Sequence, residues 1–257
     1  MSARGPHLLG SGGADVTGAV SVDLDPPRRA AAFCAHPDDS EFFVAGTFAK
    51  WAAAGTECTY VVLTDGSKGS WRPRDGASLV DVREREQRAA AAAAGVGDVV
   101  FCGFEDGFLR SDLETRRSVA EVIRRLRPEV VLTHDPWKPY RLHPDHRECG
   151  FAVCDAVVAA REPLVYPDSG LDAHRPALVL LFETDDADHF EDVSTTLTAK
   201  LTALRAHESQ YESTMGAAGA DDVAALAAFD DGIREWAAAQ GTPVGLALAE
   251  SFKRIEP

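Results

Sequence analysis

The chain alternates between short runs rich in β-branched residues and longer stretches with helical periodicity. That is the pattern of a parallel sheet whose strands are joined by crossover helices. It predicts strands at 30–35, 57–64 (ECTYVVLT), 99–102, 130–133 and 177–182 (ALVLLF). Helices are predicted at 41–54, 79–94, 111–126, 144–160, 195–207 and 224–239. Gly55 and Gly95 suit the residue just past a helix end, and Pro144 suits a first helical turn. Within 111–126, Val119, Val122, Ile123 and Leu126 fall on one face, and Pro128 ends the segment. Residues 65–76, 134–142 and 161–176 read as loops, 215–220 as a break, and 250–255 as a terminal or edge strand. The fold class expected is α/β: a Rossmann-like, open, mostly parallel sheet flanked by helices, in a single domain with a C-terminal helical extension.

Composition narrows the function classes. The 257 residues carry 41 Asp and Glu against 26 Lys and Arg, a formal net charge of −15. A duplex-binding protein would need clustered Lys and Arg to displace counterions, so nucleic acid is not an expected partner. No apolar run reaches the roughly 18 residues of a membrane-spanning helix, so no membrane partner is expected. Residues 1–27 are rich in Gly, Ala and Ser and lack the basic and apolar regions of a secretory signal. They read as a flexible N-terminal arm ahead of a domain at 28–257. The five cysteines (Cys34, Cys58, Cys102, Cys149, Cys154) are odd in number and show no Cys-x-x-Cys spacing. Reduced, mostly buried thiols in a cytoplasm are expected.

The chemistry concentrates in two stretches. Directly after the first strand stands Ala35-His36-Pro37-Asp38-Asp39-Ser40-Glu41. Ligand sites of open parallel sheets lie off the carboxyl ends of strands, where a nucleotide-binding fold would place Gly-x-Gly-x-x-Gly. Here there is an imidazole and three carboxylates instead. Pro37 fixes the backbone, so His36 and Asp39 could point at one ion while Asp38 points elsewhere. The plainer reading of Asp39 is a helix N-cap. After the fourth strand comes His143-Pro144-Asp145-His146. Three residues apart at a helix entrance, His143 and His146 can face one side, although a single His is more often an ordinary surface or core residue. If the first and fourth strands are neighbours, the two stretches meet. Two imidazoles and one carboxylate around an open position are the donor set of a catalytic rather than a structural zinc site. Metals that prefer oxygen alone would not favour the imidazoles.

The two motifs together, on this strand–helix alternation, resemble the PIG-L/LmbE family of metal-dependent N-deacetylases, which act on N-acetylglucosaminyl inositols, malates and antibiotic sugars. The resemblance runs from about residue 29 to about residue 207. It includes Leu63-Thr64-Asp65-Gly66, Lys68-Gly69, the run from Arg83 to Glu86, Phe104-Glu105-Asp106-Gly107 and His207-Glu208-Ser209-Gln210. It implies that His36, Asp39 and His146 hold a metal, Zn2+ or alternatively Fe2+. It implies that Asp38 is the general base and that His143 faces the developing oxyanion or the leaving group. It further implies that Arg83 and Asp106 contact substrate. The chemistry is consistent: a carboxylate beside the metal can take a proton from water and deliver it to the leaving amine, and a protonated His143 would stabilise the oxyanion.

Each weaker assignment has a plainer rival. Arg83 lies in a charged run that reads as a solvated helix face, and Asp106 before Gly107 could simply make a turn. Gly66 and Gly69 could let backbone N–H groups approach substrate or only form a loop. His134 and Asp135 could orient a ligand or be turn residues. Trp137 and Tyr140 could stack on a sugar or pack their loop. His7, His174 and His189 read as surface residues, and His207 carries no assignment. The mycothiol branch of the family has a tyrosine where this chain has Arg141, which sets the chain apart from that pathway. The function expected is a zinc-dependent hydrolase removing an N-acetyl or other N-acyl group from an amino sugar or glycoconjugate, as a homo-oligomer or a monomer. The alternatives are an amidase acting on a thiol conjugate or non-sugar amide, and a non-catalytic Rossmann-like binding module. The missing glycine fingerprint speaks against the last.

Overall fold

The computed structural model describes residues 20–71 and 76–257. In chain order the elements are β1 (Ser21–Val22), β2 (Arg29–Cys34), α1 (Asp39–Phe43), α2 (Ala45–Ala53), β3 (Glu57–Thr64), α3 (Gly76–Ala93), β4 (Asp98–Phe104) and α4 (Leu113–Leu126). There follow β5 (Val130–His134), α5 (Pro144–Arg161), β6 (Leu178–Phe182), β7 (His189–Asp192), α6 (Leu197–Arg205), α7 (Val223–Gly241) and β8 (Ala249–Ile255). The strands form one sheet in the order β1-β7-β8-β6-β5-β2-β3-β4. Its strands pair in parallel except where β8 meets β6 and β7.

The five predicted strands are β2 to β6. They are apolar along most of their length because helices cover both faces. On one face Phe48 and Trp51 of α2 pack on Ala32, Tyr60 and Leu132. On the other, Val119 and Ile123 of α4 and Val153 and Val157 of α5 pack on Phe33, Val61 and Val131. The helix predicted at 41–54 is two helices, interrupted at Val44. All five cysteines are free thiols. Burial pushes Cys58 and Cys154 up to about 12 and Cys102 up to about 11, so these three stay protonated and unreactive.

Two short strands carry too little pattern to be legible. Of the expected arm, residues 1–19, with His7, lie outside the described residues, while Ser21 and Val22 pair with His189 and Phe190. His189, expected at the surface, is fully buried in β7 between Ser21 Oγ (2.8 Å from Nδ1) and Glu191 Oε1 (2.9 Å from Nε2). The predicted terminal strand is not at an edge. β8 lies between β6 and β7, so the C-terminal segment returns through α7 into the interior of the sheet. No helix among the described residues is long and apolar enough to cross a membrane.

Two features of this frame position the site. The first is that β2 and β5 are neighbours, with Ala30 opposite Val130 and Phe33 opposite Thr133. Their carboxyl ends therefore deliver the two motifs to the same place. The second is a buried ion pair beneath α1 and α2. Glu250 of β8 accepts the N–H groups of Gly46 (3.0 Å) and Thr47 (2.8 Å) and pairs with Lys200 at 2.7 Å. Lys200 also donates to the carbonyl of Phe42 at 2.6 Å. Both side chains are only 1% exposed. Replacing Glu250 with Ala would leave a buried ammonium and two helix N–H groups without their acceptor. We expect a stability loss of about 3–5 kcal/mol, read as a lower denaturant midpoint. Glu250→Gln, which keeps an acceptor oxygen, is expected to lose less.

Candidate active site

The turn after β2 carries a backbone strain that sets its geometry. Asp38 has φ 104°, a region that side-chain-bearing residues rarely adopt. A conformation of this kind costs about 1–3 kcal/mol and persists only where its surroundings impose it. Here Gln87 of α3 accepts the Asp38 N–H at 2.9 Å, and the Asp39 carboxylate accepts the His36 N–H at 2.8 Å. As a result Asp38 and Asp39 point in different directions. Asp38 faces Arg83 and Asp39 faces the imidazoles.

His36, Asp39 and His146 converge. His36 Nδ1 lies 3.2 Å from His146 Nε2 and 3.4 Å from one Asp39 oxygen; the other Asp39 oxygen lies 3.2 Å from His146 Nε2. Donor atoms bound at about 2.0–2.1 Å to a tetrahedral zinc stand roughly 3.3–3.4 Å apart. The spacing therefore fits one small divalent cation, and the mixed imidazole–carboxylate donor set suits zinc or ferrous iron. The outward nitrogens of both rings meet carboxylates. His36 Nε2 is 3.1 Å from Asp145 Oδ2 and 3.3 Å from Asp106 Oδ1, and His146 Nδ1 is 3.2 Å from Glu183 Oε2. An N–H given to a carboxylate leaves the inward nitrogen as a lone-pair donor, the arrangement that orients metal-binding histidines.

The electrostatics follow from the same contacts. Burial opposes charge on His36, but Asp106, Asp145 and Asp39 outweigh it and hold the pKa well above the usual imidazole value. Burial likewise opposes charge on Asp39, yet His146, His134 and His36 hold it well below the carboxylate range. Glu183 is drawn down to about 2 by His134 and His146 against the effect of burial. The carboxylates that favour positive charge on His36 and His146 would equally favour a bound cation there, and binding one would displace protons from these rings. Burial raises Asp38, with Arg83 opposing. His143 stacks on His146 and meets His36 edge-on, each at 4.7 Å. Burial and these two neighbours lower its pKa, so the protonated His143 of the sequence expectation is disfavoured.

Arg83 and Asp106 both line the cavity, and their hydrogen bonds here go to protein groups. Arg83 is buried, not a solvated helix face. Its guanidinium donates to the carbonyls of Gly66 and Pro37 and lies 3.3 Å from Asp38 Oδ2. A Cβ on Gly69 would overlap that guanidinium, so the glycine makes room for an arginine rather than for substrate. Asp106 divides its oxygens between His36 and the Lys68 N–H. His134 orients: its Nδ1 is 2.7 Å from Glu183 and its Nε2 3.3 Å from Asp39. Asp135 is a turn residue, accepting the Trp137 N–H at 2.9 Å. Neither Trp137 nor Tyr140 lines the cavity. Arg141 does, with its guanidinium 2.5 Å from Glu183 Oε1 and also against His146. Sequence reasoning missed Glu183 and gave Asp145 no role. Glu183 follows the apolar run of β6 at a strand carboxyl end, which was the available signal.

A family model described as PIG-L, GlcNAc-PI de-N-acetylase, matches residues 31–157. The diacetylchitobiose deacetylase of Thermococcus kodakarensis is 37% identical over 183 residues, 68% of this chain and 67% of that one. The chain belongs to the PIG-L family. A probable N-acetyl-α-D-glucosaminyl L-malate deacetylase of Bacillus anthracis is 30% identical over 187 residues, 68% of this chain and 78% of that one. Among solved structures, the N,N'-diacetylchitobiose deacetylase of Pyrococcus horikoshii superposes with a TM-score of 0.81 at 26% identity, covering 90% of this chain and 84% of the other. These PIG-L relatives are N-deacetylases of amino sugars. The family match spans both motifs and ends within α5, so α6, α7 and β8 lie beyond it.

Proposed function

We propose that this PIG-L chain is a zinc-dependent hydrolase that removes the N-acetyl group of an amino sugar or glycoconjugate. The observation that carries the reading is the spacing of His36, Asp39 and His146, 3.2–3.4 Å between donor atoms at the floor of an open cavity of about 550 Å³. Its relatives' substrates support the sugar assignment. When bound, the cation supplies Lewis acidity, acidifying a water and polarising the amide carbonyl.

The residues of the chain do the rest. Asp38 stands beside the donor trio and takes the proton of the attacking water. It returns that proton to the nitrogen as the C–N bond breaks, releasing acetate and a free amine. Arg83 keeps the Asp38 carboxylate in place and favours its charged form against burial. His143, neutral and on the cavity wall beside His36 and His146, offers an N–H to the developing oxyanion. Glu183, Asp106 and Asp145 fix the rings of His146 and His36. Arg141 and Lys68 on the cavity wall offer donors to sugar oxygens. The test is release of free amine from a panel of N-acetylated glycosides and thiol conjugates. Activity is expected on the glycosides, abolished by a chelator and restored by Zn2+. Chelator-resistant turnover overturns the mechanism, and turnover confined to thiol conjugates overturns the substrate.

A further inference from the structure

The wall of the cavity is chemically uneven. Among the described residues that line it, Phe42 and Phe43 are the only wholly apolar side chains; the rest are carboxylates, imidazoles, Lys68, Arg83, Arg141, Gln210, Thr214 and glycines. An N-acylated sugar is uneven in the same way. Its hydroxyls need polar partners, whereas its acyl methyl gains only from apolar cover. The acyl group therefore belongs on the Phe42–Phe43 side, with the sugar on the opposite, polar side.

The two rings differ in what stands behind them. Phe43 is clamped: it stacks on Phe182 at 4.9 Å and 9°, and packs against Trp236 at 5.8 Å and His134 at 5.7 Å. Phe42 is a partition. One side faces the cavity. The other packs on Phe229 at 6.0 Å and belongs to the apolar cluster of Leu197, Leu201, Leu204, Ile233 and Ala237. A single ring thus separates the reacting centre from an apolar interior. Its backbone is held by Lys200 Nζ on the carbonyl (2.6 Å) and by its own N–H donating to the carbonyl of Asp38 (3.3 Å). The partition is fixed to the same turn that carries Asp38 and Asp39.

We infer, resting on the deacylase reading above, that Phe42 ends the acyl subsite and limits the substrate to short N-acyl groups, acetyl foremost. One methylene too many against an apolar wall costs about tenfold or more in specificity. The experiment uses the full chain loaded with Zn2+ and the glucosaminyl glycoside turned over fastest in the panel above, N-acylated with acetyl, propanoyl, butanoyl or hexanoyl chains, reading kcat/KM for amine release. The wild type is expected to favour acetyl over hexanoyl by roughly a hundredfold or more. Phe42→Ala, which opens the partition toward Phe229, is expected to raise the hexanoyl-to-acetyl ratio at least about tenfold. Phe42→Leu should fall between them, and Phe42→Trp should lower the propanoyl-to-acetyl ratio. If the Ala variant does not fold, the opposed shifts of Leu and Trp still decide. Ratios unchanged by every substitution, or a wild type indifferent to chain length, overturn the inference while leaving the deacylase reading intact. A wild type that releases amine from none of the four overturns the deacylase reading and this inference with it.

Discussion

Asp38→Asn is expected to lower turnover of an N-acetylated amino sugar by about 10²–10⁴-fold, the usual contribution of a positioned acid–base group, while the protein retains its cation. The two halves of that result come from different contacts. Asparagine has the shape of aspartate and tolerates positive φ better than most residues, so the turn at φ 104° and the Gln87 contact to its N–H persist. The trio of His36, Asp39 and His146 does not use Asp38 and keeps its spacing. What disappears is a group able to accept a proton and return it. Arg83 loses its carboxylate partner but keeps the carbonyls of Gly66 and Pro37. Steady-state kinetics and elemental analysis on one preparation check both halves. Unchanged turnover would remove Asp38 from the role of base. Loss of the metal would make it a ligand.

His146→Ala is expected to empty the site and reduce turnover to background. Its Nε2 lies 3.2 Å from both other donors, and removing it leaves a two-point grip. Glu183→Gln separates binding from orienting. The amide can still accept from His146 Nδ1 but no longer supplies charge, and loss of such a partner weakens metal affinity by about 10–100-fold. Competition with a chelator of known affinity measures both variants, with the order wild type, Glu183→Gln, His146→Ala expected. Normal zinc in His146→Ala would reassign the ligand set. An unaltered affinity in Glu183→Gln would make the carboxylate a packing partner of Arg141 and His134 rather than a support for the metal.

The central sheet was legible because β2 to β6 are buried on both faces and so read as apolar runs with helices between. β1 and β7 were not, because two and four residues carry no period. In the site, the groups named by local motifs come together: His36, Asp39 and His146 meet because the β2–β5 pairing places two strand ends side by side. The groups whose meaning lies in distant contacts were misread or missed. Arg83 sits in a charged run whose pattern matches any solvated helix, and only the space left by Gly66 and Gly69 reveals that it turns inward. Asp106 looks like a turn residue until His36 appears beside it. Glu183 is one acid after an apolar strand, and its value comes from His134 and His146, neither of which is near it in the chain. His207 belongs here too. It is buried with Nε2 3.3 Å from Glu41, which in turn accepts from Gln87, the residue holding Asp38's N–H.

The place of β8 bears on how the protein comes to be made. This strand follows all the other strands in the sequence, yet it fills an inner position of the sheet and supplies the carboxylate under α1 and α2. Until it docks, β6 presents an open edge and Lys200 lacks the Glu250 carboxylate. The nascent chain thus carries every residue of the donor trio well before it can hold them still. Closure of the sheet waits on β8, and a chain cut short before Ala249 would be a substrate for proteases rather than a slower enzyme.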